Sequence, residues 1–213
     1  MMKRDYYRHL PHQIPEGSPI FLTWNLKGAL SRPVLEMLAR ERERLASLPA
    51  RLGESPRDRK IREGKRIFAI ADRAFDGATS GPMHLREPSA AKIVNDAITF
   101  GVPERYDLYA WCVMPNHAHV LLTPHRELKK ITQGIKGHTA YEINRMQNAR
   151  GRTFWQDESF DHWARNDDEL LRIIEYIESN PVAAGLCRSQ NVWPWSSARH
   201  REAWPRGQMF AKP

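Results

Sequence analysis

The order of segments in this 213-residue chain predicts an α+β fold: a ferredoxin-like antiparallel sheet with helices on one face and a charged helical insertion after the first strand. Three observations predict it. An apolar run, Ile20-Phe21-Leu22-Thr23-Trp24-Asn25-Leu26, is followed by a long charged stretch from about 34 to 86. Two strand-type runs, near 107–114 and 117–123, flank a Pro115-Asn116 turn. Helical periodicity appears on both sides of that hairpin.

Taken in order, residues 1–19 mix prolines and histidines with Tyr6 and Tyr7, which predicts an extended lead-in. The first strand, stopped by Gly28 and Pro33, has the composition of a buried central strand. Between 34 and 86, runs such as Arg40-Glu41-Arg42-Glu43-Arg44 alternate in sign, and Leu35, Leu38 and Leu45 recur at helical offsets. Solvated helices broken at Pro49, Gly53, Pro56, Gly77 and Gly81 account for this better than a nucleic-acid patch, because acidic residues dilute the basic charge. Ser89 is a candidate N-cap for a helix over 89–100, with Ile93, Val94, Ala97 and Ile98 on its apolar face. After the hairpin, Leu128, Ile131, Ile135, Thr139, Ile143 and Met146 form the inward stripe of a helix over 126–149, stopped at Gly151. The aromatic segment 153–163 reads equally as strand or ordered loop. Asn166-Asp167-Asp168 starts a last helix, and Asn180-Pro181 is expected to end it. One domain is expected over 20–200, with a tail over 201–213.

Lys and Arg total 33 against 25 acidic residues, a net charge of +8, and the pI is about 9.7. That balance favours a polyanionic partner, nucleic acid first, over an ordinary basic protein. Cys112 and Cys187 lie far apart, without the spacing of a disulfide framework or a Cys-rich zinc module. No stretch approaches the roughly 18 apolar residues of a membrane span, and the N-terminus lacks an apolar signal core. A cytoplasmic, nucleoid-associated protein is the expectation.

His117-Ala118-His119 carries the clearest chemistry. In a strand, residues i and i+2 share a face, so the imidazoles project together as half of a divalent-metal site. On the 126–149 helix, Gly134, His138, Tyr141, Arg145 and Asn148 form a polar stripe, with Asn144 beside it. Tyr141 is then a candidate nucleophile if that stripe meets the histidines; otherwise it is a surface tyrosine lying on the Arg145 stem. A structural zinc site is disfavoured, since such sites want four protein ligands and cysteine is scarce.

Several separated blocks resemble one family: Met114-Pro115-Asn116-His117-Ala118-His119-Val120-Leu121-Leu122, the helix from Ile135-Lys136-Gly137 to Asn144, Gly151-Arg152-Thr153-Phe154-Trp155-Gln156, and Tyr176-Ile177-Glu178-Ser179-Asn180-Pro181-Val182-Ala183-Ala184-Gly185-Leu186. Together with Trp193-Pro194-Trp195-Ser196-Ser197 they look like the REP-associated tyrosine transposases of the HUH single-tyrosine superfamily, over about residues 20–200. The resemblance implies a nuclease that nicks and rejoins single-stranded DNA at hairpin-forming repeats through a 5′-phosphotyrosine intermediate. It implies that His117 and His119 hold Mg²⁺ or Mn²⁺, that Asn144 completes the metal shell, and that Tyr141 attacks phosphorus. Relatives often place the tyrosine nearer His138 and Thr139; a three-residue shift nearly keeps the helix face and moves the side chain about 4.5 Å along the axis. Lys136, Arg145 and Arg152 would hold DNA, and Trp155 would stack on bases or else belong to the core. Such members are expected to act as monomers, and a domesticated, non-cleaving DNA-binding protein is the alternative.

Overall fold

The structure, a computed structural model, describes residues 17–77, 81–157 and 160–201. The expected lead-in lies outside the described residues except for 17–19, as does the tail except for Arg201. Among the described residues the strands are β1 (Ile20–Asn25), β2 (Tyr106–Val113), β3 (His117–Pro124) and β4 (Phe160–Trp163). The helices are α1 (Arg32–Ser47), α2 (Pro56–Asp76), α3 (Pro88–Thr99), α4 (Leu128–Met146) and α5 (Asp167–Ala183). The sheet order is β2-β3-β1-β4, with β1 antiparallel to both neighbours and β2 antiparallel to β3. Strands β1 and β2 are therefore parallel to each other with β3 between them, and β3 and β4 are parallel with β1 between them. The crossovers through α3 and α4 share one face, as right-handed connections require.

Side-chain alternation sorts the core. Ile20, Leu22 and Trp24 of β1, with Ala118, Val120 and Leu122 of β3, meet Val94 and Ile98 of α3 and Ile131, Ile135 and Ile143 of α4. Phe21 and Leu121 point the other way, where Leu170, Ile173, Ile174 and Ile177 of α5 cover them. A bulge between Leu108 and Ala110 puts Tyr109 and Ala110 together on the α5 side. The ferredoxin-like α+β class holds, with a correction to the expectation of helices on one face. Helix α5 covers the second face, because β1 and β3 are apolar in both phases and each phase needs cover.

The insertion is a helix pair. Ser55 caps α2, accepting from Asp58 N at 3.1 Å, with Pro56 in the first turn. Charged side chains pair with one another, as in Arg44–Glu41 and Arg62–Glu54, both at 2.7 Å, while Leu38, Leu45, Ile67, Ala71 and Phe75 enter the core. Several helix ends differ from expectation. Helix α3 is preceded by Glu87 with Pro88 in its first turn, so Ser89 lies inside it. Helix α4 stops at Met146 because Asn148 takes the left-handed conformation, φ 51°, and Ala149 N closes on Asn144 O at 2.8 Å. Helix α5 is capped by Asn166, whose side chain accepts from Glu169 N at 2.8 Å. It runs through Pro181 to Ala183 and is closed beyond its end by Gly185, φ 69°, with Leu186 N bonded to Pro181 O at 2.9 Å. Proline is tolerated there because the lost bond falls in the final turn. The open question over 153–163 resolves as an isolated bridge, Leu26 to Trp155, followed by β4. Among the described residues no helix is long and apolar enough to cross a membrane.

Candidate active site

His117 and His119 project together from β3 on the α5 side of the sheet, and neither has solvent exposure. Their Nε2 atoms lie 2.9 Å apart. Asn116 Oδ1 meets His117 Nδ1 at 2.6 Å, which assigns that ring the Nδ1–H tautomer and leaves its Nε2 as a lone pair. His119 Nδ1 meets Thr23 Oγ1, its cross-strand partner, at 2.7 Å. Asn180 Nδ2 lies 3.1 Å from His119 Nε2 and donates to it. Burial holds both imidazoles neutral: His119 is pushed down to about 3, and His117 is held well below its usual value by burial first and by His119 second.

Two lone pairs facing each other at 2.9 Å suit a shared cation. Ligand atoms about 2.1 Å from an octahedral ion stand roughly 3 Å apart along a cis edge. Asp72 of α2 also reaches the pair, with Oδ1 3.6 Å from His119 Nε2, and ligand atoms of Asp72, His117 and His119 lie within 4.8 Å of one another. Among the described residues the buried Asn180 Oδ1 atom finds no hydrogen-bond partner. Neutral imidazoles, a carboxylate and an amide oxygen form a donor set that fits a divalent ion such as Mn²⁺ or Mg²⁺.

Aromatic rings close around these donors. Phe75 of α2 stacks on His117 with centroids 5.2 Å apart. Tyr176, one turn before Asn180 on α5, sets its ring against His119 at 6.0 Å and against Phe21 at 6.0 Å. It is 38% exposed, so a phenol with a face to solvent stands beside the buried imidazoles.

The other sequence-predicted residues are not brought here. Tyr141 is 63% exposed on α4, across the sheet from the histidines. Asn144 is buried on the same helix and ties it to the following loop: its Nδ2 donates to Arg152 O at 2.7 Å, and its Oδ1 accepts from Arg152 Nε at 2.9 Å. Arg152 also donates to Gln147 at 2.7 Å and lies over Phe154. Lys136 donates to the carbonyls of Gln156 and Asp157 at 2.6 and 3.2 Å, and burial pushes its ammonium down to about 8. Arg145 pairs with Glu142 at 2.6 Å on the surface. Trp155 is core, edge-on to Trp24 at 6.4 Å, with its Nε1 donating to Thr139 Oγ1 at 2.9 Å.

Sequence reasoning missed Thr23, Asp72, Asn116, Tyr176 and Asn180 as neighbours of the histidines. A signal existed for two of them: Tyr176 and Asn180 stand at i and i+4, and Asn180 falls in phase with the buried stripe Leu170, Ile173, Ile174 and Ile177.

Residues 100–180, which span both histidines, Tyr176 and Asn180, match the family model described as "Transposase IS200 like". A protein of Haemophilus influenzae named as a REP-associated tyrosine transposase is 28% identical over 108 residues, covering 46% of this chain and 61% of the relative. The REP-associated tyrosine transposase of Escherichia coli K12 is 28% identical over 98 residues, 46% of this chain and 56% of the relative. The matched regions thus span less than two thirds of these relatives. The solved structure of a REP-associated tyrosine transposase bound to a REP hairpin superposes with a TM-score of 0.52 at 16% identity, covering 100% of this chain and 93% of that one, a likeness of fold. With the histidine pair on the central hairpin and the matched segment reaching through α5, the chain is similar to the IS200-like transposases over residues 100–180 and to REP-associated tyrosine transposases over about half its length.

Proposed function

We propose that this protein nicks and rejoins single-stranded DNA with a divalent ion, and that Tyr176 rather than Tyr141 is the nucleophile. The observation that carries this reading is the shared side of the sheet: Tyr176 and Asn180 stand on α5 beside His119, whereas Tyr141 and Asn144 ride on α4 behind the sheet. His117 and His119, with the Asn180 amide, would hold the ion. When bound, it would draw charge from a non-bridging oxygen of the scissile phosphate.

The tyrosine Oη forms a bond to phosphorus while the bond from phosphorus to the DNA 3′-oxygen breaks. The phenol proton is lost and the departing 3′-oxygen gains one, leaving a 5′-phosphotyrosine. Attack by another 3′-hydroxyl reverses the exchange, rejoins DNA and frees the tyrosine. Thr23 and Asn116 fix the ring orientations through the two Nδ1 atoms, so each Nε2 stays aimed at one point. Tyr176, Asn180 and both histidines meet within one chain, which supports an active site assembled in cis. The basic net charge supports a DNA substrate. The hairpin in the solved relative makes hairpin-forming repeats the first substrate to try.

The test incubates protein, Mn²⁺ and a labelled hairpin oligonucleotide with single-stranded flanks, then seeks a covalent adduct on a denaturing gel. Wild type and Tyr141→Phe are expected to form it, and Tyr176→Phe to form none. An adduct that persists in Tyr176→Phe and disappears in Tyr141→Phe returns the role to α4. DNA binding with no adduct in any variant points to a non-cleaving protein.

A further inference from the structure

Helix α2 of the insertion is the element that seals the histidines. Phe68, Asp72 and Phe75 follow one another at offsets of four and three, one face of a helix. Phe68 packs edge-on to Phe21 at 5.3 Å, and Phe75 stacks on His117 at 5.2 Å. The carbonyl of Phe75 accepts from Asn116 Nδ2 at 3.0 Å, linking α2 to the residue that orients His117. Between the two phenylalanines, Asp72 is 2% exposed and points a carboxylate oxygen at His119.

Ligand atoms of Asp72, His117 and His119 lie within 4.8 Å of one another, near enough for all three to meet one ion. A position four residues from Phe68 and three from Phe75 would be filled by Leu or Ala if packing alone mattered. We infer that Asp72 is a ligand of the divalent ion, and that ion binding thereby pins α2 of the insertion over the active site. This rests on the metal-dependent reading above and adds to it a donor from a segment outside the ferredoxin core. The set becomes two imidazoles from β3, an amide from α5 and a carboxylate from α2, and the added anionic oxygen favours hard cations such as Mg²⁺ and Mn²⁺.

The test uses full-length protein without DNA. Mn²⁺ affinity is measured by calorimetry for wild type, His117→Ala and Asp72→Asn, and amide hydrogen exchange over 68–75 is followed with and without Mn²⁺. Asp72→Asn, nearly the same size, is expected to weaken Mn²⁺ binding roughly tenfold or more and to abolish the slowing of exchange that Mn²⁺ produces at α2 in wild type. Wild-type binding that His117→Ala removes but Asp72→Asn leaves intact, with α2 exchange insensitive to Mn²⁺, overturns this inference alone. Absence of Mn²⁺ binding by wild type overturns it together with the metal-dependent reading. Should Asp72→Asn fail to fold, the exchange comparison on wild type still decides: Mn²⁺ that slows β3 but not 68–75 refutes the role.

Discussion

The two buried histidines make the metal-free protein sensitive to mild acid. In the unfolded chain each imidazole titrates near 6.5, whereas in the folded protein burial depresses both, His119 to about 3. Between those values the unfolded state binds more protons than the folded state, so stability falls as pH falls through 6.5 and keeps falling toward the folded values. From pH 7 to pH 5 an unfolded histidine goes from about one quarter to almost fully protonated, which lowers the unfolded state by about 2 kcal/mol per residue. His119 alone therefore costs about 2 kcal/mol, a sizeable share of the roughly 5–15 kcal/mol of a typical domain, and His117 adds in the same direction. His162, which burial also pushes down, adds in the same direction. The Glu169 carboxyl, lowered to about 2, matters only below about 4.5. Urea unfolding followed by tryptophan fluorescence, in EDTA at pH 7, 6 and 5, measures the loss. A His117→Asn/His119→Gln double variant removes both titrating groups and isolates their part. Its stability is expected to change less than that of wild type over the two pH units, by about 2 kcal/mol from His119 and further in the same direction from His117. Equal pH dependence of the two proteins would refute the buried, neutral pair.

Two further substitutions probe the opposite face of the sheet. Trp155→Phe removes the bond to Thr139 Oγ1 and part of the packing on Trp24, so it should lower stability by about 1–3 kcal/mol in chemical denaturation. Single-strand DNA affinity should be unchanged, and a loss of affinity at unchanged stability would restore Trp155 as a stacking platform. Gly101→Ala places a Cβ 2.4 Å from the Tyr106 ring, which is buried and bonded through its hydroxyl to Ile98 O. The ring has nowhere to retreat, and a drop in stability of about 1–3 kcal/mol is expected in the same assay.

The histidine pair was legible because strand periodicity is local: two residues at i and i+2 share a face whatever surrounds them. The proposed nucleophile, Tyr176, was harder to read because the choice between α4 and α5 is topological. Both helices carry a tyrosine and an asparagine, Tyr141 with Asn144 and Tyr176 with Asn180. What separates them is which side of the sheet each covers. The crossovers through α3 and α4 share a side by handedness, and the apolar phase of β3, Ala118, Val120 and Leu122, must meet them. His117 and His119 occupy the other phase, so no residue of α4 can reach them without passing through the sheet. That deduction was available from the alternation of β3, once α4 was recognised as the crossover to a fourth strand. The undecided segment 153–163 hid that strand. Asp72 was masked differently: among so many charged residues in the insertion, one acid in the apolar phase of α2 does not stand out.

The last block of the chain finds its reason in the same geometry. A residue on α5 faces the histidines only while the helix keeps its rotation about its axis, since one residue of slip turns a side chain by about 100°. Glu178, on α5 between Tyr176 and Asn180, is buried and accepts from Ser197 Oγ at 2.7 Å and from Arg201. Ser197 in turn accepts from Trp111 N at 3.2 Å, Val113 N donates to Trp195 O at 2.8 Å, and Trp193 Nε1 donates to Val113 O at 3.0 Å. The 193–201 segment thus runs along β2, covers that edge strand, and grips α5 by a buried carboxylate whose partners are fixed to the sheet. A glutamate pointing away from the solvent at that position is costly on its own. It is explained if the helix must be held in one phase, with Tyr176 and Asn180 turned to the histidines and Glu178 turned to the strap that keeps them there.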